Sequence, residues 1–302
     1  MPTTQRSFRG EPDLRAMAAL ARAFPADHLR VIDLPWRLSS WALDNPANVA
    51  LWVDGTDQLM AWAVLQAPFW TIDYTIHPGA PAGLHAQLLT WADARARAVL
   101  DTPDSRPAWF VTVFPDQAAR IRDLEAAGFA CQADVGEDSW SKVFMCRARA
   151  PIEEQPLPAG FTIRPLAGDA EVEAYVELQR EVFESRNMTV AWRARTLSRP
   201  EYVPELDLVA VAPDGRLAGF CIGWLDPNAP RGQIEPLGVR AEFRQFGLGR
   251  ALLFECLRRL QAHGAQDIYV ETDNYRNAAL ELYESAGFRV LRDVWLYRKD
   301  YE

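Results

Sequence analysis

Apolar and polar residues alternate at strand-like spacing just after a proline-rich segment in the middle of the chain. Residues 161–166, Phe-Thr-Ile-Arg-Pro-Leu, predict a β-strand. Asp169 then caps a helical pattern. The apolar positions of that pattern are Val172, Tyr175, Leu178 and Val182. The preceding residues 150–158 hold three prolines and two glutamates, which exclude a regular helix or a central strand, so we interpret them as an interdomain linker.

The rest of this half predicts a strand, a glycine-containing loop, and then a helix, a strand, a helix and a strand. Residues 233–239 form the strand before the loop. Helical spacing then covers residues 248–263, and Gly264 supplies the stop. Residues 267–272 are typical of a buried strand, and residues 277–286 predict a short helix before the last strands.

Two patterns of this half recur in the first half, in the same order. Residues 277–288, Asn-Ala-Ala-Leu-Glu-Leu-Tyr-Glu-Ser-Ala-Gly-Phe, have a counterpart in residues 118–129. Residues 207–220 and residues 48–62 each contain an apolar run, a turn rich in Asp and Gly, and a second apolar run, which indicates a hairpin. Two ordered matches favour a tandem duplication. We therefore predict a first domain at residues 1–150, a linker at 151–160 and a second domain at 161–302.

The loop before the helix carries the pattern Arg-Gln-Phe-Gly-Leu-Gly at residues 244–249. A loop of this kind at a helix start brings backbone N–H groups close to an anion, and the helix dipole adds to the attraction. Glycine suits Gly247 and Gly249 because a side chain there would block the approach or forbid positive φ. Two glycines alone equally fit a packing loop with a tight turn.

Composition restricts the classes of partner. The chain has 302 residues, a formal net charge of −9 and a sequence pI of about 5.1. An acidic chain without a basic tract gives no electrostatic footprint for nucleic acid. The four cysteines form no CxxC pair and the four histidines show no metal-ligand spacing, so we expect no metal. No stretch approaches the ~18 apolar residues that span a bilayer. We expect a cytoplasmic monomer or homodimer with reduced thiols and no membrane contact.

Arg244-Gln-Phe-Gly-Leu-Gly249 fits the pattern R/Q-x-x-G-x-G/A, and Asn277 to Tyr283 follows where expected. Together with Arg164-Pro-Leu and Ser285-Ala-Gly-Phe288, these segments resemble the GNAT acyltransferase superfamily over nearly all of residues 161–302. The resemblance implies an α/β (α+β) fold with two tandem GNAT-like domains, each a mixed, mostly antiparallel twisted sheet flanked by helices. The tandem architecture is also similar to mycothiol synthase and related two-domain acetyltransferases, in which the second domain is active.

The same resemblance implies acetyl-CoA as cosubstrate. In the family the loop amides hold the CoA pyrophosphate, and the strand before the loop pairs with pantetheine like an added strand. Pro236 fits, because a proline marks a bulge or an opened edge, although an ordinary edge strand has the same pattern. The residues expected to bind the cofactor are Leu237, Gly238, Val239, Arg244, Gln245, Phe246, Gly247, Leu248, Gly249, Arg250 and Asn277.

Two side chains are the candidates for proton transfer. Glu235 lies in the strand beside the expected thioester and is the general-base candidate, with a solvated strand carboxylate as the alternative. Tyr283 matches the family's tyrosine near the CoA sulfur and is the general-acid candidate, with a core tyrosine as the alternative. Glu271 is a reserve base, and Asn277 is either a cofactor contact or a helix N-cap. In the first half, Asp73 aligns roughly with Glu235.

The first half departs from the motif. Ala118 and Leu124 stand where the second half has Asn277 and Tyr283, and the loop at residues 77–83 is shorter and interrupted by two prolines, which remove N–H donors. We predict that this half keeps the fold, does not catalyse, and packs on the second half to shape the acceptor cleft; CoA binding without turnover is the weaker alternative. Aromatic residues that could line the contact are Trp36, Trp41, Trp62, Phe69 and Trp70.

We expect an N-acetyltransferase that moves acetyl from acetyl-CoA to the primary amine of a small molecule by direct attack. A non-catalytic acyl-CoA sensor or scaffold is the alternative from another class. An aminoacyl transferase that uses aminoacyl-tRNA is the least favoured, because it would need a basic face. Arg186, Asn187 and Trp192 could contact the acceptor, although placement on the surface fits them equally well.

Overall fold

The computed structural model describes residues 3–25, 31–133, 135, 141–274 and 277–301. The first half starts with a short edge strand and then builds its sheet from apolar runs such as Val49–Val53, in which every residue is buried. Its strands are β1 (Thr4–Ser7), β2 (Val49–Val53), β3 (Leu59–Gln66), β4 (Thr71–Ile76), β5 (Ala108–Val113), β6 (Ala130–Cys131) and β7 (Ser141–Ala148). Its helices are α1 (Glu11–Ala23), α2 (Leu34–Arg37), α3 (Leu84–Ala98) and α4 (Ala118–Ala126), with 3-10 turns at Trp41–Asp44 and Pro46–Asn48.

The second half follows the predicted order of elements. The predicted helices at 248–263 and 277–286 and the predicted strand at 267–272 are confirmed to within a residue or so. Its strands are β8 (Thr162–Pro165), β9 (Asp207–Val211), β10 (Leu217–Leu225), β11 (Arg231–Val239), β12 (Asp267–Asp273) and β13 (Arg289–Asp300). Its helices are α5 (Val172–Val182), α6 (Val190–Leu197), α7 (Leu248–Ala262) and α8 (Asn277–Ser285), with 3-10 turns at Gly168–Glu171, Pro204–Leu206 and Ala241–Phe243.

All the described strands join one sheet. Its order is β1-β2-β3-β4-β5-β13-β7-β12-β11-β10-β9-β8, and β6 pairs with β13 off this path. The parallel neighbours are β4 with β5 and β11 with β12, and the other pairs are antiparallel. The expectation of mixed, mostly antiparallel sheets flanked by helices is therefore confirmed.

The last strand of each half completes the sheet of the other half. β7, from the first half, pairs with β12 along its whole length. β13, from the second half, pairs through Trp295–Asp300 with β5 of the first half. The two exchanged strands also pair with each other through Arg289–Trp295 and Ser141–Cys146. The sheet consequently continues without a break from the strands of the first half to those of the second half.

The internal repeat is visible in the backbone. The hairpins β2–β3 and β9–β10 both contain a register shift, at Trp52/Val53 and at Leu217/Gly219. Each is followed by a strand, a loop and a 15-residue helix whose N-cap is a glycine in the left-handed region, Gly83 before α3 and Gly247 before α7. The same irregularities at matching places support the duplication.

Helix α7 is fixed by its apolar face. Leu252, Leu253, Cys256, Leu257 and Leu260 are all fully buried against the sheet. Each buried leucine contributes about 1.5–3 kcal/mol relative to exposure, so the start of the helix is held firmly in place. None of the described helices is both long and apolar enough to cross a membrane.

Aromatic residues of the first half pack against the α5–α6 region of the second. Trp192 is buried between Trp36 and Phe69, with ring centroids 5.0 and 5.3 Å away, and its Nε1 donates to the carbonyl of Trp36 at 3.0 Å. Asn187 Nδ2 donates to the carbonyl of Pro68 at 2.7 Å, and Trp41 Nε1 donates to the carbonyl of Asn187 at 2.9 Å. Trp192 and Asn187 therefore hold the halves together rather than lying on an open acceptor surface.

The other predicted contact aromatics divide. Trp62 belongs to the core of the first half, where its Nε1 donates to the carbonyl of Met17 at 3.0 Å. Trp70 is 39% exposed and lies in the left-handed region at φ 59°. Of the five aromatics, Trp36, Trp41 and Phe69 make the inter-half contact described above.

Candidate active site

Strands β11 and β12 part beside the predicted cofactor loop. They pair only from Arg231↔Asp267 to Gln233↔Tyr269. Between the pairs Cys221↔Leu237 and Gly223↔Ile234, strand β11 advances three residues while β10 advances two, so Glu235 and Pro236 form a bulge. Proline lacks the N–H that a central ladder needs. The predicted bulge and opened edge at Pro236 are confirmed.

Beyond the bulge, residues 237–239 pair with β10 on one side only. Val239 faces Gly219 and Gly238 faces Phe220 across the β10 ladder, while β12 has moved away on the other side. A strand with one unpaired edge can accept an extended ligand as an added strand. Gly238 is required sterically, because a Cβ there would lie 2.5 Å from Val182 Cγ1 and 2.8 Å from the Phe220 ring.

The loop after β11 ends on a helix N-terminus without a side-chain cap. Gln245 has φ 68° and the N-cap Gly247 has φ 81°, and the Gly247 position supplies no side-chain acceptor to the first turn of α7. The amides of Leu248, Gly249 and Arg250 therefore begin a 15-residue helix whose positive dipole end favours an anion. The donor set fits a diphosphate.

The polar side chains of this loop have different surroundings. Gln245 is exposed, and Arg244 is exposed with its Nε donating to the carbonyl of Val239 at 3.3 Å. Arg250 donates from Nε to Gln155 Oε1 at 2.8 Å and from a terminal nitrogen to Ser285 Oγ at 2.6 Å.

Phe246 and Gly249 define the apolar parts of the loop. Phe246 is 55% exposed, with its ring centroid 6.4 Å from that of Phe161. A Cβ at Gly249 would meet Val239 Cγ2 at 3.6 Å, an ordinary contact, so the protein itself leaves room for a methyl group there.

Tyr283 lies on α8, in the buried core beneath the parted strands. Its ring centroid is 5.6 Å from that of Phe288. Burial raises the pKa of Tyr283 well above its usual range, and negative charge at Cys221, Glu235 or Cys256 would raise it further. The phenol is therefore protonated throughout the neutral range and is available as a proton donor.

Glu235 lies close to Tyr283 at the bulge. Its charge contributes to the raised pKa of Tyr283 and also to that of Tyr175 on α5. Its backbone carbonyl accepts a hydrogen bond from Trp224 Nε1 at 2.7 Å, which fixes the strand at this point. The structure thus brings the two predicted proton carriers to one region, and their catalytic roles stay predictions.

The other predicted site residues, Glu271 and Asn277, are less directly linked to the opening between β11 and β12. The reserve base Glu271 forms an ion pair with Lys142 at 2.6 Å, which favours its charged form and disfavours proton uptake. Asn277 begins α8, but its side chain lies outside the described part of the chain. Among the described residues, no group of three or more His, Cys, Asp or Glu side chains could hold a metal ion.

A buried polar network near Glu235 was not expected from the sequence. The Arg193 guanidinium lies 3.8 Å over the ring of Tyr175 and donates to Asp207. Tyr202 donates its hydroxyl proton to the same carboxylate at 2.7 Å. In the sequence, the spacing of Tyr175 indicates only an apolar helix position. Its hydroxyl group was the only indication of a polar environment there.

The first half parts its strands at the equivalent place. β4 and β5 pair only at Thr71↔Phe110. Gly83 has φ 87°, close to the value at Gly247, so Leu84 and His85 occupy the places of Leu248 and Gly249. The second glycine of the motif is therefore a histidine in this half.

The space between the parted strands of each half is called its slot. In the first half, side chains fill the slot between β4 and β5. His85 Nε2 lies 2.8 Å from Tyr74 Oη, and His85 Nδ1 lies 2.8 Å from Asp123 Oδ2. Arg120 Nε donates to Tyr74 Oη at 2.8 Å, so the Tyr74 proton is directed to Nε2 and the imidazole proton at Nδ1 to Asp123. The remaining cavity is only about 50 Å³.

The carboxylate of the first half is also engaged. Asp73 accepts hydrogen bonds from Arg37 Nε at 2.6 Å, from an Arg37 terminal nitrogen at 2.9 Å, and from Thr71 Oγ1 at 2.9 Å. A carboxylate held by a buried guanidinium is a poor proton acceptor. The rough alignment of Asp73 with Glu235 therefore carries no common chemistry.

Comparison with known proteins agrees with the fold and the loop. Residues 172–288 match the model of the Acetyltransferase (GNAT) family. The matched segment covers most of the second half and includes the loop motif at residues 244–249.

Similar proteins include named acetyltransferases. The chain is 36% identical over 151 residues to a mycothiol acetyltransferase of Clavibacter michiganensis subsp. michiganensis, a match that covers 48% of each protein. A mycothiol acetyltransferase of Kineococcus radiotolerans is 39% identical over 145 residues, 46% of each protein. The matches thus span about half the length of these two relatives. A mycothiol acetyltransferase of Thermobispora bispora is 29% identical over 98% of this chain and 100% of its own length.

Solved structures share the whole architecture. A GCN5-related N-acetyltransferase from Sphaerobacter thermophilus has a TM-score of 0.65 at 24% identity, covering 99% of this chain and 95% of the other. A tandem GNAT protein from the clavulanic acid biosynthesis pathway has a TM-score of 0.65 at 17% identity, covering 99% and 98%. At these identities the likeness establishes the tandem fold.

Proposed function

We propose that the carboxyl-terminal half transfers the acetyl group of acetyl-CoA to the primary amine of a small molecule by direct attack. The observation that carries the proposal is the opening between β11 and β12, which has the uncapped N-terminus of α7 at one end and the buried Tyr283 beside it. The names of the mycothiol acetyltransferase relatives support acetyl transfer to a small acceptor.

The cofactor would be held mainly by backbone. The amides at the start of α7 would bind the pyrophosphate, and the free edge of residues 237–239 would pair with the pantetheine. Arg244 and Gln245, which are exposed beside this site, would contact the phosphates. Acetyl-CoA supplies the acetyl group as an activated thioester.

Glu235 and Tyr283 would move the protons. An alkyl amine with a pKa near 10.4 is mostly protonated at pH 7, so it must lose a proton before it attacks. Glu235 would take this proton, directly or through a water, before the C–N bond forms. The nitrogen would release its second proton to solvent as the tetrahedral intermediate collapses to the amide. Tyr283 would give its phenol proton to the sulfur as the C–S bond breaks. Alignment of the two reactants supplies much of the remaining acceleration.

We further propose that the first half does not catalyse. Its slot is filled by His85, Tyr74 and Arg120, and Leu124 stands where the second half has its tyrosine. Its role would be structural: it supplies β7 to the second half and covers one side of the acceptor cleft.

The experiment is a thiol-release assay with acetyl-CoA and a library of amines, alongside equilibrium binding of acetyl-CoA. We expect amine-dependent release, and a loss of about a hundredfold in kcat for Tyr283→Phe with unchanged acetyl-CoA affinity. Tyr297→Phe, at a buried tyrosine in the core of the first half, is the matched control. Binding without release for any amine would favour the sensor alternative, and absence of binding would refute the proposal.

A further inference from the structure

A cavity of about 240 Å³ opens at the point where β11 and β12 part. Gln233 and Tyr269, the last paired residues of the two strands, both line it. Ile268 and Val270 pack under α7, so Tyr269 between them faces the opposite side of the sheet. The cavity therefore lies across the sheet from α7 and the buried Tyr283.

Both halves of the chain build this cavity. Ile32 and Phe114 come from the first half, and Phe144 lies on the exchanged strand β7. Glu235 is two residues beyond Gln233, roughly 7 Å along the strand. A molecule in the cavity would consequently have one end within reach of the candidate base.

The lining combines a flat apolar surface with a charge at its far end. The rings of Phe144 and Tyr269 are parallel to within 2°, with centroids 5.1 Å apart. Gln233, which is 3% exposed, supplies a buried amide beside them. Arg231 lines the end away from Glu235, because it precedes Gln233 on the same strand.

The other charged groups of the lining already have partners. Arg292 stacks 3.7 Å over Phe114 and pairs with Asp116 at 2.5 Å. Asp226 Oδ1 accepts the backbone N–H of Asn228 at 2.9 Å. Within the described part of the chain, no hydrogen bond or ion pair involves the Arg231 side chain. Its charge is thus available to a ligand.

We propose that this cavity binds the acceptor, and that the acceptor is a compact primary amine with an anionic group at its other end. The amine lies at Glu235, a flat or apolar body covers Phe144 and Tyr269, and the anion pairs with Arg231. The four steps along the strand from residue 231 to residue 235 span about 13 Å, and side chains that reach inward from both ends shorten this distance. The volume lies below the ~300–1,000 Å³ typical of drug-sized sites, which favours a small molecule over a peptide.

This inference rests on the proposed acetyl transfer, and its test separates the two. The probes are 4-(aminomethyl)benzoate and its neutral isostere 4-(aminomethyl)benzamide, and the readout is equilibrium binding by calorimetry in the presence of CoA. We expect the carboxylate to bind the wild-type protein at least about tenfold more tightly than the amide, since a charge-assisted pair is lost with the amide. Arg231→Gln should abolish this preference while the weaker binding of the amide persists.

The control is Arg258→Gln, an arginine on the exposed face of α7 that pairs with Glu255 outside the cavity. It should keep the wild-type preference. Equal binding of the two probes, no measurable binding of either, or an equal loss of both in Arg231→Gln would overturn the inference.

Thiol release is then measured with the same probes. Acetylation of both probes at equal rates would leave the proposed function intact and refute the anionic acceptor. Arg231-dependent binding of the carboxylate without release from any amine would support the cavity assignment and refute acetyl transfer.

Discussion

The two halves of the chain share a scaffold and differ in what fills it. Both part a parallel strand pair, β4–β5 and β11–β12, and both begin the next helix with a left-handed glycine. In the second half the second position after Gly247 is Gly249, which places no side chain beside the parted strands. In the first half His85 takes the place of Gly249 and joins Tyr74 and Asp123 across the slot. The two halves thus share a fold, and we propose that a few side chains decide whether an anion can enter between the parted strands.

The carboxylates of the two halves, Asp73 and Glu235, also differ in their surroundings. Asp73 is neutralised by Arg37, whereas the charge of Glu235 acts on the buried Tyr283 and Tyr175. Similar positions in a repeat therefore give different chemistry, because the partners of each residue differ. Four changes to the chain should affect the two halves differently.

Separating the halves should have the largest effect. Residues 161–302 alone would lack β7, which leaves β12 with an open edge, and β13 would lack β5. We expect neither 1–150 nor 151–302 to fold when expressed alone, and co-expression to restore a folded complex, as judged by circular dichroism and gel filtration. As a control, cleavage of the intact protein at a protease site placed at Glu153–Glu154 should leave it folded. A stable isolated second half would contradict the importance of the exchanged strands.

Transferring the histidine should close the open slot. Gly249→His places in the second half the residue that fills the first, and we expect acetyl-CoA affinity to fall by more than about a hundredfold. Gly249→Ala is the matched control: the pattern R/Q-x-x-G-x-G/A admits alanine at this position, and a Cβ there makes only ordinary contacts with the protein, so binding should be nearly unchanged. Calorimetric titration measures both. Normal binding by Gly249→His would show that the position does not face the cofactor.

Neutralising each carboxylate should affect different properties. Glu235→Gln should lower kcat/KM about a hundredfold at pH 7, and the deficit should shrink as pH approaches the amine pKa near 10, because the amine then needs no base. Asp73→Asn should leave turnover unchanged and lower the free energy of unfolding by about 3 kcal/mol, because Arg37 loses its buried partner. Rate profiles against pH and urea denaturation test these outcomes. An equal loss of activity in both variants would contradict the assignment.

The smallest expected effect is on the pH dependence of the free energy of unfolding, through His85 in the first half. Burial, with the charge of Arg120, lowers the pKa of His85 despite the opposing effect of Asp123. In the unfolded chain His85 takes up a proton near its usual pKa of about 6.5, whereas in the folded chain it does so only at lower pH. The stabilisation by neutral His85 is therefore fully present above about pH 6.5 and is lost as the pH falls below that value. The stability advantage of wild type over His85→Gln should shrink between pH 7.5 and 5.5. A difference between wild type and His85→Gln that stays constant over this pH range would contradict the neutral network.

Local patterns predicted much of the second half. The helix at 248–263, the strand at 267–272, the loop with Gly247 and the bulge at Pro236 each depend on neighbouring residues, and each is confirmed. The exchange of β7 and β13 could not be predicted, because the local pattern of a strand does not specify its partner and only long-range packing selects it.

The site was only partly accessible to sequence reasoning. The role of His85 was not predicted, because the two prolines at residues 77–83 already explained the loss of N–H donors. An alignment of Gly83 with Gly247 places His85 at the position of Gly249. The buried Arg193 network, like the burial of Trp192 against the first half, depends on tertiary contacts that no periodicity reports.

The central claim is that only the slot of the second half is open to a diphosphate. A crystal structure of the full chain grown with excess acetyl-CoA tests it directly. We expect one nucleotide per chain, with its pyrophosphate on the amides of residues 247–249 and its pantetheine along residues 237–239. A nucleotide in the slot beside His85, or a pyrophosphate away from Gly247, would contradict it.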